Sequence, residues 1–238
     1  MKKNLLITIL ATLTISVVAQ TTRQERQQRQ RAGNERSVIM TERGVDDPRA
    51  HAILNDVRRN LNSFRSLRIE FTFTFTDVHE QTNESHRGTI LLRGDRYNLK
   101  FMEQNIISDG RTVWSFNSNT NEVHINQANS RDTEMFNPIA LLNNYEENFR
   151  AILIREDVER GVPAMIIDLR PFEARTYHKV RVITDKARHT IMTIEIHEKG
   201  GTILAFRVDR MQTNVPAPDS EFRFNASGHP GVEVVDMR

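Results

Sequence analysis

The sequence predicts an α+β fold that is mostly β: about eleven antiparallel strands in a sandwich or barrel, one N-terminal helix and one short mid-chain helix. Three observations carry this. Ile69, Phe71, Phe73 and Phe75 alternate without a break against Glu70, Thr72, Thr74 and Thr76. Turn dipeptides recur along the chain, among them Gly94-Asp95, Asp109-Gly110, Arg160-Gly161, Asp185-Lys186 and Gly200-Gly201. Helix-start signals stand out at only two places, Asp47-Pro48 and Asn137-Pro138.

Two segments precede the first element. After Met1-Lys2-Lys3-Asn4, residues 5–19 form an apolar run of 15, short of the roughly 20 that a spanning helix needs. Val17-Val18-Ala19 and the polar Gln20 then read as the end of a secretory signal cut after Ala19. Residues 20–36 hold five Gln, five Arg and two Glu, too polar to offset the entropy of ordering. The expected organisation is a signal peptide at 1–19, a disordered tail and linker at 20–46, and one domain at 47–238.

Asp47 suits a helix cap and Pro48 its first turn, so a helix is expected over 48–62. Ala52, Ile53, Val57, Leu61 and Phe64 form its expected apolar stripe, with Asp56, Arg58 and Arg59 on the wet side. The Phe-rich strand follows. A slip of one residue would turn its three rings to the opposite face, so its register should be firm. Further strands are expected at 88–93, 97–101, 106–107, 112–116 and 123–125. Asp109-Gly110 is the hairpin signal between two of them. Ile139, Leu141 and Leu142 belong to the short helix, which ends near Asn143-Asn144. Strands resume at 151–155, 164–170, 177–184, 191–197 and 202–211, and a last one is expected at 222–224.

Composition narrows the function. Lys and Arg total 33 against 31 Asp and Glu, and loss of Lys2 and Lys3 with the signal leaves the chain near neutral. A nucleic-acid partner would favour a basic excess. The absence of Cys excludes disulfides, thiol nucleophiles, Cys-zinc sites and a lipid-modified cysteine anchor. A Cys-free exported chain also fits a bacterial periplasm. The chain has no Gly-x-Ser-x-Gly elbow, no phosphate-cradling Gly-x-x-x-x-Gly-Lys and no His-Glu-x-x-His. The eight His are scattered, and neither a metal site nor a catalytic set is expected from them.

Several local patterns occur in one order. Ile106-Ile107-Ser108-Asp109-Gly110-Arg111-Thr112-Val113-Trp114 is followed by Pro138-Ile139-Ala140-Leu141-Leu142, then Phe222-Arg223-Phe224 and Pro230-Gly231-Val232. With the preceding helix and Phe strand, this resembles the outer-membrane lipoprotein carrier family, LolA, over roughly residues 48–236. The resemblance implies an unclosed, strongly curved antiparallel β-barrel with a helical lid over an apolar cavity. It implies a periplasmic monomer without a cofactor. Such a carrier takes the acyl chains of lipoproteins from an inner-membrane release complex and passes them to an outer-membrane acceptor.

On this reading Phe71, Phe73, Phe75, Ile90, Leu92, Leu99, Phe101 and Trp114 line the cavity, and Ile139, Leu141 and Leu142 belong to the lid. Without the resemblance the alternating residues read first as an ordinary packed core, and Ile139, Leu141 and Leu142 read equally as lid or as packing. The family usually carries an Arg-Pro pair between the second and third strands, whose Arg helps hold the lid. Here the stretch reads Arg93-Gly94-Asp95-Arg96, so Arg93 and Arg96 are the latch candidates and proline is missing. Two other functions compete: a periplasmic lipid sensor of similar fold, and, less favoured, a periplasmic enzyme.

Overall fold

The computed structural model describes residues 46–80, 82–128 and 138–238. The expected signal peptide, nearly all of the expected tail, and Asn137 lie outside these residues.

Helix α1 (Pro48–Asn62) has the expected bounds. The Asp47 side chain accepts a hydrogen bond from Arg49 N at 2.9 Å, and Pro48 opens the first turn. Its buried stripe is Ala50, Leu54, Val57 and Leu61, at spacings of four, three and four. Ala52 is exposed, so the stripe lies rotated from the expected one.

Strands β1 (Leu67–Asp77), β2 (Thr82–Arg93), β3 (Arg96–Phe101), β4 (Gln104–Ser108), β5 (Thr112–Asn117) and β6 (Glu122–Gln127) form an antiparallel meander. The hairpin at 109–110 closes as expected. Asp109 Oδ1 accepts from Arg111 N and Thr112 N at 2.9 and 2.8 Å, and Gly110 takes φ +90°.

Helix α2 (Pro138–Asn148) runs past Asn143-Asn144, where the short helix was expected to end, and leads directly into β7 (Phe149–Glu159). A second meander follows: β8 (Val162–Pro171), β9 (Tyr177–Asp185), β10 (Thr190–Glu198) and β11 (Thr202–Thr213). Strand β11 returns to pair with β1, so the two meanders join at the Phe strand. Among the described residues the sheet has twelve strands, the last in sequence being β12 (Glu233–Asp236), ordered β12-β6-β5-β4-β3-β2-β1-β11-β10-β9-β8-β7. Its edges do not meet, and it is an unclosed curved sheet.

The C-terminal segment differs from expectation. Residues Asp219–Phe222 form a 3-10 turn rather than part of a strand. Phe222 is fully buried while its neighbours are polar, so it acts as a single plug and not as one step of an alternating run. The extra strand is β12 (Glu233–Asp236), which pairs parallel to β6.

Candidate functional site: an apolar cavity beneath two helices

Register assigns each strand residue to a face. Opposite partners in an antiparallel pair share a face, and successive residues alternate. Ile69 pairs with Ile90, Ile90 with Leu99, and Leu99 with Ile106. On the other side Phe73 pairs with Phe206 and Phe206 with Ile194. These residues lie on the inner face, beneath the helices.

The cavity there holds about 650 Å³ of unfilled space, counting what opens to solvent at its mouth. Its walls are Leu67, Ile69 and Phe71 of β1, Ile90 of β2, Leu99 of β3, Ile191 and Ile194 of β10, and Phe206, Val208 and Met211 of β11. Leu61 of α1 and Ile139 of α2 complete it. Every one of these side chains is apolar, so the cavity offers no group for acid–base or nucleophilic chemistry. What it offers is removal of hydrocarbon from water.

Of the residues expected from the sequence, Phe71, Ile90, Leu99 and Ile139 line this space. Phe73 and Phe101 stand beside it in an aromatic cluster with Phe71 and Phe206, with ring centroids 4.9–6.1 Å apart. Leu92 shares the face but is fully buried beside it. Phe75 lies opposite Leu204 towards the end of β1 and is half-buried. Leu141 and Leu142 are buried within α2.

Gly88 has a role that periodicity does not reveal. It lies between Phe71 on β1 and Phe101 on β3. A Cβ at Gly88 would sit 2.4 Å from Phe71 Cζ and 3.0 Å from the Lys100 carbonyl oxygen. The missing side chain is what lets the Phe71 ring lie across β2.

Trp114 does not face the cavity. It pairs with Ile107, which pairs with Asn98, which pairs with Leu91, and that row forms the outer face. On the same face the Phe116 ring meets Phe224 at 5.3 Å and His229 at 4.4 Å, so the C-terminal segment covers it. Strand β5 lies where the sequence predicts it, but a period of two does not say which set points inward.

Arg93 and Arg96 also point outward, away from the helices. Both pair with Asp219, Arg96 at 3.0 Å. Arg93 Nη1 donates to the Ala217 carbonyl at 2.6 Å, and its guanidinium lies 5.0 Å from the Phe222 ring centroid. The hydrogen bond from Arg93 holds the Asp219 carboxyl below its ordinary pKa, and the charges of Arg93 and Arg96 add to this. The two arginines therefore clamp the C-terminal segment, and their partners are not on α2.

The contacts between the helices come from other residues. His51 Nδ1 lies 2.9 Å from the Tyr145 hydroxyl, and His51 Nε2 lies 2.8 Å from Asp46 Oδ1. A carboxylate only accepts, so Nε2 carries a proton; in the neutral ring Nδ1 then accepts from Tyr145. Burial, with help from Glu146, pushes the Tyr145 phenol far above its ordinary pKa, so it keeps its proton. Asn62 donates to Asn143 at 2.9 Å, and Arg58 pairs with Glu146 at 3.6 Å. Asp46 Oδ1 also accepts from Ala151 N of β7 at 2.9 Å. Nothing in the local sequence pattern marks His51 and Tyr145 as a pair, because 94 positions separate them.

No curated protein matches the chain. An uncharacterized conserved protein from Thermus thermophilus superposes with a TM-score of 0.55 at 13% identity, covering 79% of this chain and 99% of that one. This is a likeness of fold. A putative outer membrane lipoprotein-sorting protein domain from Vibrio parahaemolyticus gives a TM-score of 0.42 at 11% identity, over 73% of this chain and 97% of that one. A LolA superfamily protein from Nitrosomonas europaea gives 0.43 at 14%, over 74% and 97%. The family model described as outer membrane lipoprotein carrier protein LolA matches residues 62–225, more than half of the 238. That span runs from the end of α1 through the strands lining the cavity to the C-terminal segment, and by it the chain belongs to the LolA family.

Proposed function

We propose that this protein is a periplasmic carrier that holds the acyl chains of lipoproteins in the apolar cavity and moves them from the inner to the outer membrane. Its partners on this reading are an inner-membrane release complex and an outer-membrane acceptor, and it needs no cofactor. The observation that carries the proposal is a cavity walled wholly by apolar side chains and roofed by two helices that pack on each other through polar contacts. A buried methylene contributes about 0.8 kcal/mol, so a chain of about 14 contributes on the order of 11 kcal/mol. A multiply acylated lipoprotein therefore needs an apolar container to cross water.

The test is a fluorescent acyl probe bound by the purified protein. Ile194→Glu places a carboxylate on a half-buried stretch of the wall, where an unpaired charge is costly. Binding should fall by about tenfold or more, as a loss of about 1.4 kcal/mol already gives that factor. A variant that keeps the parent circular dichroism spectrum and binds the probe as tightly as the parent would remove the cavity from the mechanism.

A further inference from the structure

Beside the cavity two neighbouring strands of the sheet, β10 and β11, part from each other. Strands β10 and β11 pair only from Thr193–Arg207 to His197–Ile203. Beyond that point Thr190 and Ile191 stay paired with β9, while Val208 and Arg210 to Thr213 stay paired with β1. Both strands are irregular where they part. The β1–β11 register shifts at Glu70/Phe71 and leaves Asp209 unpaired, and the β9–β10 register shifts between Ile191 and Thr193. A bulge bends its strand and sharpens the local twist, so two facing bulges split the pair into a fork.

The fork borders a groove of about 1080 Å³, counting the solvent at its open side. Ile191, Val208 and Met211 line both this gap and the apolar cavity, so the two spaces share a wall. The burial pattern agrees. Leu67, Ile69, Ile90 and Leu99 on β1 to β3 are only 1–4% exposed, whereas Ile194 of β10 and Phe206, Val208 and Met211 of β11 are half-buried, with Ile191 of the shared wall buried at 4%. Arg160 reaches over from the β7–β8 turn and donates to the Val208 carbonyl at 3.1 Å, just past the last β10 partner.

The outer rim of the gap holds Arg160, Arg188 and Arg210 with Asp185 and Asp209. The carboxylates are engaged. Asp185 accepts from Ala187 N and Arg188 N at 2.9 Å, and Asp209 accepts from Thr72 at 2.6 Å and Arg207 at 3.1 Å. Arg188 approaches Asp185, and Arg210 approaches Glu70, only to 4.0 Å, and the two arginine side chains are 80% and 63% exposed. Positive charge therefore faces outward around an apolar throat.

We infer that the fork between β10 and β11 is the portal through which an acyl chain reaches the cavity, and that its arginine rim holds the anionic headgroup of a lipid whose tail lies inside. The inference rests on the carrier reading and adds the route and the headgroup charge to it. A carboxylate or phosphate at the rim would meet guanidinium groups suited to planar oxyanions, while the tail passes Met211 and Val208.

The test uses the exported protein and cis-parinaric acid, an acyl chain with an anionic head, beside its methyl ester. The chain has no cysteine, so single-cysteine labelling is clean. Thr190→Cys at the fork and Glu147→Cys on the exposed side of α2 are each coupled to a bulky maleimide. Uptake in stopped flow should slow about tenfold or more for the label at 190 and remain normal for the label at 147, since blocked chains must wait for the helices to part. In the second arm, Arg160→Gln/Arg188→Gln/Arg210→Gln should lose about tenfold in preference for the acid over the ester, because exposed ion pairs are individually weak but three act together. Normal uptake with the label at 190, or an unchanged acid preference in the triple variant, overturns the inference while leaving the carrier reading intact. Failure of the unmodified protein to take up either probe overturns both.

Discussion

Gly88 shows how one residue shapes the cavity floor. Its φ is unexceptional, so the need for glycine here is one of space, set by the Phe71 ring and the Lys100 carbonyl. Gly88→Ala should cost about 1–3 kcal/mol in chemical denaturation, the usual range for overpacking. Adding Phe71→Leu, which shortens the obstructing ring, should recover part of that loss, because contacting sites are not additive. Additive losses would show that the ring is not the obstacle.

Asp168 on β8 is the second residue with a large individual effect. It is 2% exposed on the outer face, receives Arg181 at 2.7 and 3.1 Å, and meets Lys179 at 3.2 Å. Burial alone would raise its carboxyl, but the hydrogen bonds and charges of Arg181 and Lys179 outweigh burial and hold it below its ordinary value. A pKa lower in the folded than in the unfolded chain stabilises fully above the unfolded value, about 3.9. That contribution drains away as pH falls through the folded value. Arg181→Gln should cost towards the low end of about 3–5 kcal/mol, since Lys179 remains, and should move the acid-unfolding midpoint to higher pH. An acid midpoint equal to the parent's would mean that Arg181 does not hold this charge.

At the scale of elements, α1 is positioned by its cap and its stripe, and α2 is tied to it by side chains. The His51–Tyr145 hydrogen bond joins the two helices, and Asp46 joins that pair to β7. Tyr145→Phe keeps the buried ring and removes the hydroxyl. The expected stability loss is small, about 0.5–1.5 kcal/mol. The larger effect should be local, with faster hydrogen exchange across α2 than across β1 or β8. Unchanged exchange in α2 would show that the helix is held by packing alone. The outer clamp is a separate device, because Arg93 and Arg96 act on residues 217–219 and leave the helices to their own contacts.

For the whole molecule, an unclosed sheet must cover two faces with one chain. The helices serve the inner face, and the C-terminal segment serves the outer face over β3, β4 and β5. Leu91 and Ile107 are 5% and 4% exposed despite pointing outward, in the row to which the Phe222 segment is bonded through Asn98. Phe222→Ala removes the plug of that cover. It should cost about 3–5 kcal/mol, the usual range for deleting a buried Phe. Limited proteolysis should then cut between 214 and 225 well before the strands. A cut pattern identical to the parent's would show that the segment is anchored elsewhere, through β12 and the Arg93–Asp219 pair.

The sequence by itself determined the local elements and the family. Asp47-Pro48 set the start of α1, strict alternation set β1, and Asp109-Gly110 set the β4–β5 hairpin, because each depends on neighbours a few positions away. The ordered motifs from Ile106 to Val232 fall mostly within the region that the LolA family model matches. Only the tertiary structure decided which face each alternating set would occupy. Phe71, Ile90 and Leu99 turned inward and Trp114 outward through the register of successive hairpins, which no single strand encodes. Only the structure paired Arg93 with Asp219, 126 positions away, and opened β10 from β11 by two facing bulges. Periodicity is a property of adjacent residues, whereas a face, a clamp and a gap belong to segments distant in the chain, and their free energies appear only once those segments meet.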